Sequence, residues 1–373
     1  MYDWIIVGAG LTGATLAERI AAGLGRRVLV VERRRHVAGN AHDAINEHGH
    51  LVHTYGPHVF HTNARPIWDY LSRFTAWRPY SHRVRAVVDG TEVPLPINLD
   101  AIASLFPGPL AERYTDKLLD RFGFGERVPV LKLRGDDDPD LRDLGNYVYE
   151  AVFETYTLKQ WGLRPEDLSP SVTARVPIVV SRDSRYTADR WQAMPARGFT
   201  AMVERMLAHP SIHVLTNAHW EDVEDMFAGA RVIFTGPIDE YFDYIHGPLP
   251  YRSLRLEFET LPVARHQSVA VVNHPGEADY TRVTEFAHLT GATGSSTTIA
   301  REYPLPHVPG ETEPYYPIPC DETQSLLHRY QETARETPDV LFCGRLGDYK
   351  YYNMDQAVGA ALALYEKRVK PLA

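Results

Sequence analysis

The sequence predicts an α/β fold in which a nucleotide-binding, Rossmann-like unit is interrupted by a helical insertion and by an antiparallel β-sheet. Three observations carry this: a glycine-rich turn between an apolar strand and a helix at the start, a long middle stretch of helical periodicity, and short alternating strands on either side of it. Trp4 to Val7 is an unbroken apolar run, and Gly8-Ala9-Gly10-Leu11-Thr12-Gly13 follows it directly. Gly13, Leu16, Ala17, Ile20, Ala21 and Leu24 then recur at helical spacing, Gly23 and Gly25 end the run, and Val28 to Val31 form a second buried strand closing on Glu32. The context makes this a βαβ unit built to hold a dinucleotide. Gly8 permits the tight turn, Gly10 lets the backbone reach a pyrophosphate, and Gly13 lets helix and strand approach, while the unpaired N–H groups of the helix start face the phosphates. Glu32, nineteen residues after Gly13, suits the ribose hydroxyls. Arg33-Arg34-Arg35 raises the question of a 2′-phosphate, but Glu32 would repel one, so the run reads as a solvated basic turn.

The remaining elements follow in order. His36 to Asn40 is a glycine-containing loop, and Leu51 to Thr62 brings Tyr55 to His61 into a turn. Arg83 to Val88 and Glu92 to Leu95 alternate around Asp89-Gly90 as an antiparallel hairpin, which departs from a plain doubly wound domain. Leu99 to about Leu168 is helical, broken at Phe106-Pro107-Gly108-Pro109 and at the acidic, solvated loop from Gly135 to Asp140. Short strands return at Thr173 to Val180, Leu254 to Glu259, Ser268 to Asn273 and Thr281 to His288, alternating as an antiparallel sheet. Gly198 to Ala208 reads as a helix, and His213 to Leu215 and Arg231 to Thr235 as strands in the style of the opening unit. Val340 to Cys343 with Gly344, then a helix from about Met354 to Lys370, repeats strand, glycine and helix. The nucleotide-binding domain is therefore expected to be discontinuous, from residues 1–78, 196–242 and 312–373, with helices in 98–168 and the sheet in 79–97, 169–195 and 243–311.

Bulk properties narrow the function classes. At 373 residues the chain has room for about two to three core units. Hydrophobic residues at 44% and charged ones at 23% are ordinary for a globular protein. The net charge of −9 gives no footprint for nucleic acid or an anionic membrane, so an anionic ligand must be met by local cations. Cys320 and Cys343 have no metal-ligand spacing, and the histidines form no HExxH, so neither a metal nor a disulfide is expected. With no secretory segment and no membrane-length apolar run, the expectation is a cytoplasmic protein. Twenty-one tyrosines, six tryptophans and seventeen histidines suit sugar and nucleobase pockets as well as cores.

Four further strings sharpen this reading: Gly56-Pro57-His58-Val59-Phe60-His61-Thr62, Tyr156-Thr157-Leu158-Lys159-Gln160-Trp161-Gly162, Gly236-Pro237-Ile238-Asp239-Glu240-Tyr241-Phe242-Asp243-Tyr244, and the run from Gly344 to Gln356. With the opening fingerprint, Pro195 to Thr200 and Pro250 to Leu254, they closely resemble the bacterial UDP-galactopyranose mutases, in order and spacing, from Tyr2 to the last helix. The resemblance implies FAD, active when reduced, at the opening fingerprint, and a homodimer supplied by an unidentified reductant. It implies interconversion of UDP-galactopyranose and UDP-galactofuranose, a nucleotide-sugar step feeding cell-wall or polysaccharide synthesis, with N5 of the reduced flavin as nucleophile on the anomeric carbon.

The same resemblance assigns residues. Arg175 and Arg282 would flank the departing diphosphate, Arg282 from a strand in which Arg282, Thr284, Phe286 and His288 share a face. Val152, Tyr156 and Trp161 would meet the uracil, Tyr186, Tyr316 and Tyr351 the phosphates, and Asn273 the substrate. Gly8, Gly10, Thr12, Gly13, Glu32, Arg33, Gly39, Asn40, Val59 and Arg345 would hold FAD, joined by Asn353, Met354 and Asp355 at the start of a second helix, while His58 lies beneath the flavin. Thr173 to Arg190 is expected to be a mobile loop carrying Arg175. Three departures bear on specificity: Ala38 where a glycine is common, Val152 where a phenylalanine is frequent, and Asn353 for an aspartate. They leave room for a related nucleotide sugar, and the shared nucleotide fold leaves an FAD oxidoreductase of the amine-oxidase type as the rival from another class.

Overall fold

The computed structural model describes residues 2–169, 177–227, 229–318 and 320–372. They divide into two compact units, the first formed by Met1–Tyr80, Asp189–Ser253 and His307–Ala373, the second by Ser81–Ala188 and Leu254–Pro306. Residues 189–195, 243–253 and 307–311 thus group with the nucleotide-binding segments, and the helical insertion groups with the sheet.

The first unit is built on a five-stranded parallel sheet in the order Ile212–Thr216, Val28–Glu32, Trp4–Val7, Arg231–Phe234, Val340–Phe342. Ile5, Leu29, Val31, Val232 and Phe234 form one core cluster with Trp220, which is why Trp4–Val7 and Val28–Glu32 read as unbroken apolar runs. Trp4 pairs with both Val28 and Arg231, so the chain leaves the central strand first to one side and later to the other. That reversal opens a crevice at the carboxyl ends of the two central strands, the general ligand position in open α/β sheets. The Leu11–Leu24 helix buries Leu16, Ala17, Ile20 and Ala21 and ends at Gly25, whose left-handed backbone (φ 64°) returns its N–H to the Ala21 carbonyl. This unit also holds a three-stranded antiparallel sheet, Phe60–Thr62, Trp191–Pro195 and Trp77–Pro79, the short Asp43–Ile45 and Leu51–His53 pair, and the Tyr316–Pro317 strand, whose residues pair antiparallel with Arg252 and Tyr251.

In the second unit the order is Tyr251–Leu261, Thr297–Pro306, Arg282–Glu285, Val271–Asn273, Val84–Val88, Thr91–Leu95. The hairpin expected around Asp89-Gly90 is present, with φ positive at both turn residues. One pairing differs from expectation: Val271–Asn273 runs parallel to Val84–Val88, because these strands come from separate segments and no hairpin dictates their direction. A second correction concerns the strand bearing Arg282, which stops at Glu285 and gives way to a Phe286–Thr290 helix, so Phe286 and His288 do not continue its face. Glu285 ends the strand because its fully buried carboxylate accepts the His266 and Gln267 backbone N–H groups and the Thr297 hydroxyl. The insertion supplies helices at Leu99–Leu105, Gly108–Phe122, Val130–Arg134, Pro139–Val148 and Thr155–Trp161, the last entered through a π-helical turn at Tyr149–Glu154.

Candidate functional site

The crevice of the first unit is a cleft lined by Gly8, Gly10, Thr12, Glu32, Arg33, Gly39, Asn40, His58, Arg345, Asn353 and Met354, among others. Gly8 has φ +102°, and a Cβ there would lie 2.2 Å from the Thr235 hydroxyl. At Gly13 a Cβ would lie 2.0 Å from the Gly8 carbonyl oxygen, so helix and turn meet backbone to backbone. Gly10, at φ −73°, is the cap of the helix and carries no side chain to satisfy the N–H groups it leaves open. A Cβ on Gly10 would find its nearest neighbour, Gly39 Cα, at 3.9 Å, so this glycine is set by access and not by crowding. The bare backbone and open helix start fit a dinucleotide pyrophosphate on chemical grounds. Val59 does not line the cleft; nor do Gly13, which packs against the Gly8 turn, and Asp355, which accepts the Thr62 hydroxyl at 2.9 Å.

Glu32 is buried at the strand end, where its carboxylate accepts the Ala9 N–H at 2.8 Å and the Arg34 N–H at 2.9 Å. The basic run that follows is not a solvated turn, except at the exposed Arg35. Arg33 donates to Glu240 (3.3 Å) and Glu313 (2.7 Å), and Arg34 donates to Glu313 (2.7 Å) and Asn40 (2.9 Å) with its guanidinium 4.3 Å from the Tyr55 ring centre. Burial pushes the Glu313 carboxyl up, but Arg34 and Arg33 outweigh it and hold the group below its ordinary range. Both arginines thus have carboxylate partners, which fits a 2′-hydroxyl better than a 2′-phosphate.

The loop beneath the cleft carries its own strain. Ala38 is buried in a left-handed conformation (φ 75°), held by its N–H to the Ala9 carbonyl and by its carbonyl to the Ala41 N–H. His58 donates its backbone N–H to Nδ1 of His53, and burial pushes that imidazole down to about 4. His36 and His42 stack at 3.6 Å; burial and then the facing His36 push His42 down to about 4. Asn353 caps the Met354–Leu364 helix through a reciprocal box with Gln356, a role its neutral amide fills as an aspartate would. Arg345 donates to the Tyr352 carbonyl at 2.6 Å and lies 5.5 and 5.6 Å from the ring centres of Tyr316 and Tyr351, which meet edge to face.

The second unit holds a different constellation. Asn273, Arg282 and Glu302 are register partners on three adjacent strands. Arg282 Nη2 donates to Glu302 Oε1 at 2.6 Å, and the Glu302 side chain is 2% exposed. Among the described residues, Asn273 Oδ1 and Glu302 Oε2 are buried without hydrogen-bond partners. Sequence reasoning missed Glu302. Glu302 follows Thr297-Thr298-Ile299-Ala300-Arg301 on a strand of mixed polarity, where a solvated face is the easier assumption. Val152 and Phe153 are buried in the π-helical turn, a distortion frequent at functional sites, and Trp161 is buried at the end of the following helix with Tyr156 half-buried. Lys159 anchors that helix by donating to the His274 and Gly276 carbonyls. Tyr186 lies beside His82, rings 5.7 Å apart. Arg175, with the expected strand and loop from Thr173 to Val176, lies outside the described residues. Among the described residues, no group of acidic, histidine or cysteine side chains could hold a metal ion, and no helix is long and apolar enough to cross a membrane.

A glycine-cradled cleft at the switch point of a parallel sheet, in a chain that also carries a mixed-sheet unit with an arginine–carboxylate row, defines a dinucleotide-dependent α/β enzyme. A family model described as UDP-galactopyranose mutase matches residues 151–351, and one described as an NAD(P)-binding Rossmann-like domain matches residues 6–74. A probable UDP-galactopyranose mutase of Klebsiella pneumoniae is 33% identical over 96% of this chain and 92% of its own length. A dTDP-fucopyranose mutase of Escherichia coli is 29% identical over 98% of both chains. Of solved structures, a reduced UDP-galactopyranose mutase superposes with a TM-score of 0.74 at 17% identity, over 100% of this chain and 96% of that one. The chain belongs to the UDP-galactopyranose mutase family and is an isomerase.

Proposed function

We propose that this enzyme interconverts UDP-galactopyranose and UDP-galactofuranose with FAD in its reduced state. The observation that carries the reading is the arginine–carboxylate row, Asn273, Arg282 and Glu302, in a chain of this family that also has a dinucleotide cleft. When bound, reduced FAD supplies a nucleophile, N5, for the anomeric carbon. The chain's own residues bind, orient and neutralise. Arg282, steadied by the buried Glu302, meets the negative charge growing on the departing diphosphate, with Arg175 as its counterpart. Tyr316 and Tyr351 offer phenol donors beside Arg345, and Tyr186 offers a third. Val152, Tyr156 and Trp161 hold the base; Gly8 to Gly13, Glu32, Arg33, Gly39, Asn40 and the Asn353 to Asp355 helix start hold the cofactor. The protein acts as a cytoplasmic homodimer, recharged by a cellular reductant.

The test is direct: the purified protein, reduced chemically, is incubated with UDP-galactofuranose and the products are separated by chromatography. Pyranose product only after reduction, without consumption of reductant per turnover, supports the reading. Equal turnover in the oxidised state would remove the reduced-flavin requirement, and net reduction of a second substrate would replace the mutase with the oxidoreductase. One observation favours a second substrate: a relative matching 98% of the chain is named for a dTDP sugar, and Val152 is smaller than the phenylalanine frequent at that position. A dTDP-fucopyranose arm therefore belongs in the same assay.

A further inference from the structure

Ring contraction of a hexose moves two protons. When the bond from C1 to the ring oxygen breaks, its electron pair stays on that oxygen, which takes a proton. When the 4-hydroxyl oxygen bonds to C1, it gives its proton up. The sum is zero, with no oxidation or reduction, but the steps are separate, so a group that can lend one proton and take it back completes the balance.

We infer that His61 is that group and that Asp189 is its positioning residue, a role that rests on the mutase reading. In the first unit the Trp191–Pro195 strand pairs antiparallel with Phe60–Thr62, placing Gln192 opposite His61. Asp189, just before that strand, turns its carboxylate to the imidazole, with Oδ2 at 2.6 Å from His61 Nδ1. Its other oxygen accepts from the Asn63 amide at 2.6 Å, and Asn63 is fixed in turn by the Arg190 N–H at 2.9 Å. Gln192 donates to the Asp189 carbonyl at 2.9 Å. A carboxylate accepts only, so Nδ1 carries the hydrogen and Nε2 is the atom that gains and loses one. Among the described residues Nε2 has no hydrogen-bond partner, and the side chain keeps 24% of its exposure.

Place and chemistry agree. His58, three residues before, lines the cofactor cleft, and Thr62, next to His61, donates to Asp355 in the first turn of the helix whose Asn353 and Met354 line it too. The pair is a quarter exposed, which leaves the ring reachable, and it is braced by three further hydrogen bonds. The bracing restricts the ring's tautomer and direction, as carboxylates behind functional histidines do.

The experiment uses the flavin-loaded, reduced enzyme with UDP-galactose carrying ¹⁸O in the bond from C1 to phosphate. Scrambling of that label reports cleavage at C1; furanose formation reports ring opening and closure. Asp189→Asn and His61→Gln are expected to keep flavin content, melting temperature and label scrambling, while furanose formation falls about 100-fold or more with KM within about 3-fold. Furanose formation should also gain a larger solvent deuterium isotope effect in Asp189→Asn. Scrambling and contraction falling together, or both variants contracting the ring at the wild-type rate, would overturn the dyad. Should Asp189→Asn fail to fold, His61→Gln decides alone, and Asn63→Ala, which loosens the brace, should show the same split in weaker form. Wild-type enzyme that neither scrambles nor contracts would sink the mutase reading itself.

Discussion

Two glycines in one turn should fail in different ways when given the same methyl group. At Gly13 a Cβ would stand 2.0 Å from the Gly8 carbonyl oxygen, 3.1 Å from the Gly8 carbonyl carbon and 3.2 Å from Ile6 Cγ2. Two of the three are backbone atoms, so relief requires helix and turn to separate by more than an ångström. Overpacking of this kind costs about 3 kcal/mol, the upper end for an added methylene, and alanine's helix preference returns about 1 kcal/mol. Gly13→Ala should therefore lose about 2 kcal/mol, roughly a thirtyfold drop in the folded-to-unfolded ratio. Gly10→Ala meets nothing closer than 3.9 Å and has a φ any residue adopts. The weaker helix cap and the smaller unfolded-state entropy nearly cancel, leaving stability within about 0.5 kcal/mol. Its methyl instead occupies the approach to the helix N–H groups, and losing about 1.4 kcal/mol or more of contact there weakens cofactor binding tenfold or more. The assay is urea unfolding of the cofactor-free variants beside flavin stoichiometry after desalting, read from visible absorbance. Gly10→Ala that retains full flavin, or Gly13→Ala that unfolds at the wild-type midpoint, would refute the division between access and crowding.

Acid should destabilise the first unit through its histidines. His53 is neutral in the fold with a pKa near 4, while the unfolded chain takes a proton near its ordinary value; the unfolded state binds more protons between the two. Stability is thus complete above about pH 6.5 and is lost as pH falls toward 4, at up to about 1.4 kcal/mol per unit, with His42 adding to the slope. His53→Asn, whose amide oxygen can accept the His58 N–H, should flatten that slope in urea melts at pH 5 and 7.5. Arg282→Ala should lower stability by about 3 kcal/mol as well as activity, because it strands the Glu302 carboxylate in a site 2% exposed. Adding Glu302→Gln should recover much of the stability by thermal melting and none of the turnover. Val152→Phe should shift the ratio of kcat/KM for uridine against thymidine nucleotide sugars by about 10-fold or more, at a stability cost of about 1–3 kcal/mol for the larger ring; an unchanged ratio would remove this residue from the base pocket.

Local signals read well in advance. The βαβ opening, the Gly198 to Ala208 helix, the hairpin at Asp89-Gly90 and the helix start at Asn353 all correspond to elements of the structure, because each is written in a few adjacent residues. Where reading failed, the deciding partner was distant. Arg33 and Arg34 read as solvated from their own sequence neighbourhood, whereas Glu313, about 280 residues away, accepts from both. The strand expected over Thr281 to His288 stops three residues earlier, at Glu285, because its end depends on what Glu285 meets, not on alternation.

What the sequence by itself determined is the set of backbone options: where φ must turn positive, which helices have open starts, which faces are apolar, and the order of motifs that marks the family. These follow from sterics and periodicity within a turn or two of chain. Tertiary structure alone decided which charges meet, setting Arg282 against Glu302 and His61 against Asp189, 128 residues apart. Such pairs depend on strand register, and register is fixed only when separated segments bury their apolar faces together, since a slip of one residue would send every side chain to the opposite side of the sheet.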